Sequence, residues 1–113
     1  MTLLIFLYAA AGLLLVVLAI PFIRRRIGIN YWAGLRIPAT TEHPGVWYPA
    51  NRYAGWWLLA LGIINLSASL ILGFWPGMSE ELYVILMTGI LLGGLGVGLY
   101  FSWRHASRLA EQA

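Results

Sequence analysis

The chain has 113 residues, a mean hydropathy of +0.81, 61% hydrophobic residues and only 10% charged ones, where a soluble domain is about one quarter charged. This length and composition fit one membrane domain, and the absence of cysteine excludes disulfides, thiolate metal sites and a cysteine nucleophile together. The net charge of +3 rests on arginine alone, and the arginines flank apolar runs, where retention beside anionic lipid explains them better than direct binding to nucleic acid.

In chain order, residues 3–23 form an apolar run long enough to cross a hydrocarbon core of about 30 Å, with Pro21 in its last turn. No basic region precedes the run, it is longer than the apolar region of a signal peptide, and Arg24, Arg25 and Arg26 follow it. These features predict a retained span. Residues 27–35 mix Ile, Tyr and Trp with Gly28, Asn30 and Gly34, a composition suited to the membrane interface. Pro38 pushes Ile37 towards extended geometry, and a loop continues through Thr40 and Thr41. His43-Pro44 reads as a helix start, because proline is tolerated at the first helical position. From there Trp47, Asn51, Ala54 and Leu58 share one helical face, with Pro49 expected to kink that helix or mark a second start. A second span is predicted over 53–75, closed by Pro76-Gly77, and a third over 82–103, followed by a short polar tail.

The arginines are unevenly distributed. Five of the seven lie in the 24–52 interval, none in the turn after the second span and two in the tail. Positive-inside bias places the interval and the tail in the cytoplasm and the N-terminus and the Glu80-Glu81 turn outside. The expected fold is an all-α integral membrane protein of three transmembrane helices, N-out and C-in, with a structured interfacial cytoplasmic loop between helices 1 and 2.

The residues that carry chemistry are few. Asn65 and Ser69 lie four apart inside the second span and should turn towards protein, since an unpaired amide in hydrocarbon costs several kcal/mol. Asn65-Leu66-Ser67 matches a glycosylation acceptor only by chance at that depth. In the third span Gly89-x-x-x-Gly93 and Gly94-x-x-x-Gly98, with Gly96 between, thin the helix on two faces. Gly89, Gly93 and Gly96 are assigned to helix packing, against a neighbouring span or against another copy in a homo-oligomer. His43 and His105 lack the companions of a metal site, no aspartate occurs, and no carboxylate pair or serine–base arrangement is visible. The expected protein is no enzyme and has no cofactor.

Arg36 lies between apolar neighbours, pinned by Gly34 and Pro38. Two readings stay open: a side chain snorkelling to lipid phosphate, or a planar guanidinium fork that ties the loop to Trp47 and Asn51 or grips an anionic ligand. Arg52, just before a span, invites the same choice, whereas Asn51 shares the face of Trp47 and should point inward.

Gly34-x-Arg36-x-Pro38-x-Thr40, then Trp47-x-x-Ala50-Asn51-Arg52-x-Ala54-Gly55, with Asn30 upstream, resembles the signature of the SdpI family of small bacterial membrane proteins. The resemblance implies that Asn30, Gly34, Arg36, Pro38, Thr40, Trp47, Asn51, Arg52 and Gly55 form a ligand-binding, partner-binding or structural motif. It also implies a role like that of the family's founding members. These are immunity proteins that protect a bacterium from its own membrane-active peptide toxin and hold a transcriptional repressor at the membrane as signalling receptors. Two features depart from the pattern: Ile37 stands where the family usually has threonine, and the chain has only the three-helix core.

The expected partners are therefore membrane lipid and a peptide toxin or cytoplasmic regulator. The alternatives are a structural or regulatory subunit of a larger membrane complex and a non-catalytic binder of lipid-linked or anionic ligands through Arg36 and Arg52. The topology has a direct test. A reporter active only in the cytoplasm should work when fused after Ala113 and be silent at Gly77; the reverse pattern refutes the arginine argument.

Overall fold

The computed structural model of the protein describes residues 1–24 and 44–112. These form three helices and no strand: α1 (Thr2–Ile23), α2 (Pro44–Gly73) and α3 (Glu80–Gln112). All three are long and apolar enough to span a membrane, with mean hydropathies of 2.9, 1.8 and 2.1 over their spanning windows. The predicted all-α, three-span architecture is thus the one observed. The Met1 ammonium donates a hydrogen bond to Glu80 Oε1 at 2.7 Å, so the N-terminus and the α2–α3 turn share one end of the bundle.

Local chemistry sets the helix ends. The Arg24 amide closes α1 on the Ile20 carbonyl at 2.9 Å. At the other end of the described gap, α2 starts at Pro44, as the sequence predicts, and runs unbroken through Pro49. Pro49 is close to the start, so its missing N–H removes one backbone bond without ending the helix. In the α2–α3 turn the Met78 amide bonds the Trp75 carbonyl at 3.2 Å across Pro76 and Gly77. Gly77 has φ +80°, the value a type II turn needs at that position, which glycine adopts without strain. Ser79 then caps α3, its hydroxyl accepting from the Leu82 amide at 3.1 Å, and Glu80 and Glu81 complement the positive helix end.

The third helix departs from the prediction, continuing to Gln112 where a polar tail is expected after residue 103. Residues 104–112 contain no glycine or proline and are rich in good helix formers. Ala106 is fully buried with Ala50, and Leu109 and Ala110 pack against that pair.

The bundle is inside-out relative to a soluble domain. Large apolar side chains such as Phe6, Leu14, Ile63, Ile71, Ile85 and Leu92 face outward, and the buried set is dominated by Ala, Asn, Ser and Gly. Apolar residues gain little from leaving lipid for protein, so the helices associate through close packing and hydrogen bonds. On α1 and α2 a pair of small residues falls seven apart. Gly12 and Ala19 run antiparallel to Gly62 and Gly55: a Cβ on Gly62 would stand 2.8 Å from the Gly12 carbonyl oxygen, and one on Gly12 would stand 2.9 Å from that of Gly62. A Cβ on Gly55 would press on Ile23, Phe22 and the Ala19 carbonyl at 3.0–3.2 Å, and one on Gly73 would collide with Ile5.

On α3 the glycines divide as two faces, and the face that packs is the other one. Gly94 meets Leu61 and Gly98 meets Trp57 on α2, whereas Gly89, Gly93 and Gly96 are exposed and a Cβ at any of them would meet nothing within 4 Å among the described residues. One residue along a helix turns the side chain by about 100°, so neighbouring glycines serve different directions. Against the described residues Gly89, Gly93 and Gly96 therefore form no packing face.

The geometry separates two substitutions that composition alone would treat alike. Gly62→Leu should cost about 1–3 kcal/mol or more of stability through overpacking against the α1 backbone, whereas Gly93→Leu should leave the thermal unfolding of the isolated chain unchanged. Equal losses in detergent unfolding experiments would refute this packing scheme.

Candidate functional site

The residues singled out in the sequence separate into three places. Asn30, Gly34, Arg36, Pro38 and Thr40, together with His43, lie outside the described residues. Trp47, Asn51, Arg52 and Gly55 sit at the start of α2, and Asn65 and Ser69 lie deep in its span.

At the α2 start, periodicity sorts the signature by direction. Trp47 and Ala50 are fully buried, Asn51 is 2% exposed and Gly55 is buried, while Arg52 is exposed and Ala54 half-buried. The Asn51 side-chain amide donates to the Trp47 carbonyl at 2.9 Å, one turn back. This bond is a local one on the carbonyl of the residue whose ring shares its buried face. Gly55 is the point where the end of α1 closes against α2. The last turns of α3 complete this end: Ala106 buries against Ala50, Ser102 is 1% exposed, and His105 stacks on Tyr53 with ring centroids 4.2 Å apart at 20°. One turn deeper, Trp57 stacks on Phe101 at 5.6 Å.

Exposed tryptophans mark out one hydrocarbon thickness along α2 and α3. Trp56 and Trp103 are exposed at one end and Trp75 at the other, as an aromatic belt requires. From residue 56 to residue 75 a helix rises about 28 Å, close to one hydrocarbon core. The end of α1 lies level with Gly55, where Ile23 meets it. Beyond that level α2 and α3 continue as an antiparallel pair with Trp47, Ala50, Asn51 and Ala106 inside and Arg52, Arg104 and Arg108 exposed.

The second cluster lies inside the hydrocarbon slab, where the three helices meet. Asn65 and Ser69 are fully buried. Asn65 Nδ2 donates to the Tyr8 carbonyl at 2.8 Å, which ties α2 to α1. The Tyr8 hydroxyl is hydrogen-bonded to Thr88 Oγ1 at 2.9 Å, which ties α1 to α3. The Tyr83 hydroxyl donates to the Ser69 carbonyl at 3.1 Å, and the Ser69 hydroxyl to the Leu66 carbonyl at 2.7 Å. The Tyr8 and Tyr83 rings meet edge to face at 5.6 Å. Asn65 Oδ1 is buried with no hydrogen-bond partner among the described residues.

This cluster works as interhelical glue. Tyr8, Tyr83 and Thr88 are absent from the sequence-derived site, as are Gly12 and Gly62. The available signals were the seven-residue spacing of Gly55, Gly62 and Ser69, and a tyrosine hydroxyl within the otherwise apolar run that follows Thr2 in α1. Among the described residues no group of three or more His, Cys, Asp or Glu side chains is placed to hold a metal ion.

These features define a small multi-pass α-helical membrane protein. Residues 26–102 match the SdpI/YfhL protein family, and the chain belongs to that family. No curated protein and no solved structure matches the chain. The SdpI family is not a known enzyme family.

The three-helix junction predicts a measurable coupling. Tyr8→Phe and Thr88→Val each remove one side of the α1–α3 hydrogen bond and keep most of the packing. A double-mutant cycle on unfolding in detergent should give a coupling of about 0.6 kcal/mol and no more than about 1.7 kcal/mol. Strict additivity would show that the bond contributes nothing to holding α1 against α3.

Proposed function

We propose that the protein is an SdpI-type module of the bacterial cytoplasmic membrane, N-out and C-in, that confers immunity to, or senses, a membrane-active peptide toxin. The observation that supports this reading most is the sorting of the signature on α2. Trp47, Ala50, Asn51 and Gly55 turn inward and Arg52 turns outward at the start of α2. An aromatic ring and an amide buried at the helix start that follows the arginine-rich segment are what a peptide-binding or partner-binding loop needs as an anchor. The Arg36 segment enters and leaves this end of the bundle, because α1 ends at Ile23 and α2 begins at Pro44.

A second reading, a structural or regulatory subunit of a larger membrane complex, draws on the open face of Gly89, Gly93 and Gly96. A third, binding of an anionic or lipid-linked ligand without catalysis, draws on exposed Arg52 together with Arg36.

The test is expression in a bacterium sensitive to a membrane-active peptide toxin of the kind the family's immunity proteins counter. The wild-type chain should raise survival well above the vector control. Asn51→Ala and Arg36→Lys should each lose most of the protection at unchanged membrane levels, lysine keeping the charge but not the planar fork. If both belong to one anchor, the double mutant should be little worse than either single. Vector-level killing with wild-type protein in the membrane would reject the immunity reading. Full protection by Arg36→Lys would leave Arg36 as a lipid contact.

A further inference from the structure

The α1–α3 junction carries an inference independent of the toxin reading. The described contacts between these two helices are the Tyr8 contacts with Tyr83 and Thr88 and the Met1–Glu80 ion pair. Between those two ties lies an open groove of about 480 Å³, lined by Leu4 on α1 and by Glu80, Glu81, Val84 and Ile85 on α3. Leu4 and Val84 stand one helical turn from Tyr8 and Thr88 respectively, so the hydrogen-bonded pair bounds the groove towards the membrane interior. The Met1–Glu80 pair bounds it at the surface.

Charge is unbalanced at this rim. Glu80 is paired: the hydrogen bond from the Met1 ammonium, and then its positive charge, hold the Glu80 carboxyl below the usual carboxylate range. Glu81 is exposed and makes no ion pair among the described residues. Between Arg52 and Arg104 the sequence contains no arginine or lysine, so this carboxylate lies on a stretch of chain without a basic side chain. Glu81 precedes an apolar span, which places it at headgroup depth, directly above an aliphatic groove open to lipid.

We propose that this groove is a lipid site for an aminophospholipid of the phosphatidylethanolamine type. The primary ammonium of the headgroup pairs with Glu81, and one acyl chain lies against Leu4, Val84 and Ile85. An anionic headgroup would meet a carboxylate there and is disfavoured. The ammonium supplies both the charge and the N–H donors that the carboxylate lacks.

The protein reconstituted in bilayer discs of equimolar phosphatidylethanolamine and phosphatidylglycerol with identical acyl chains, then released gently for native mass spectrometry, gives the readout. Wild type should retain the ethanolamine lipid with about two- to fivefold enrichment, the range an exposed ion pair supports. Glu81→Gln should remove the enrichment and Glu81→Lys should reverse it towards phosphatidylglycerol. Ile85→Trp, which fills the groove, should lower retention of both lipids, whereas Leu92→Trp on an exposed face farther down α3 should change neither. No enrichment by the wild type, or enrichment unchanged in Glu81→Gln, overturns the proposal. So does a wild-type protein that takes up a cationic amphipathic peptide through Glu81 but enriches no phosphatidylethanolamine, which would make this a peptide site.

Discussion

The contact on which the rest of the structure depends is the backbone-to-backbone approach of α1 and α2 at Gly12 and Gly62. Each glycine leaves space that the other's carbonyl occupies, so a methyl group on either would have to displace main chain. In lipid this closeness is a main source of affinity between helices, because exchanging a lipid tail for a leucine gains little. It also sets distances elsewhere. Asn65, three residues after Gly62, reaches the Tyr8 carbonyl only because the helices are so close there. Tyr8 is thereby held where its hydroxyl meets Thr88 on α3. One tight crossing thus aligns a polar junction of all three helices, and α3 is held through α2, through Tyr8 and through the Met1–Glu80 pair.

The same antiparallel register fixes the far end. One heptad along from Gly12 towards the C-terminus of α1, Ala19 and the residues after it close on Gly55, which lies one heptad before Gly62 in α2. Gly55 is also the last glycine of the family signature, so that motif position has a packing cause. α1 is about 33 Å long, against about 45 Å for α2 and 50 Å for α3. When the shortest helix is matched to the bilayer, the longer two must overshoot, and they do so together, sealed by Ala50 against Ala106. Small residues make this pair thin and let the bulky Trp47 be buried within it.

What was legible in the sequence follows the strength of each signal. Three apolar runs of membrane length dominate everything else, and Pro44 and Pro76-Gly77 mark a helix start and a turn by stereochemistry that tertiary packing seldom overrides. Asn65 and Ser69 read as inward because hydrocarbon tolerates no alternative. Glycine was ambiguous. Gly89, Gly93, Gly94, Gly96 and Gly98 all permit close approach, and nothing local to α3 says which direction its neighbour occupies; that information lies in the Leu61 and Trp57 of α2. Gly12 and Gly62 passed as ordinary members of apolar runs because their partner is 50 residues away, and a heptad of small residues shows only when two helices are compared. The end of α3 was misjudged for a different reason. Polarity after residue 103 suggested a tail, but polar residues do not end a helix whose sequence favours helix and whose Ala106 has a partner in Ala50. The Arg36 segment lies outside the described residues, so its place in the candidate site rests on the motif.

The two polar clusters divide the labour of the chain. Inside the slab Asn65, Ser69, Tyr8, Tyr83 and Thr88 bind helix to helix, with one acceptor, Asn65 Oδ1, left over. An unpaired amide oxygen in a low-dielectric interior is a standing cost. A leucine there would remove it, but would also lose the Nδ2 bond that fixes the register of α1 on α2. Retaining asparagine is therefore best understood as a choice of alignment over stability, as a polar residue at a core position of a coiled coil fixes register at a similar cost. At the start of α2, Trp47 and Asn51 are buried as well. Their burial serves the geometry of the α2 start, which carries the chain into the arginine-rich segment. Rigidity made within the membrane is thus carried by α2, without interruption, to the one end of the protein where charge and aromatic side chains are concentrated.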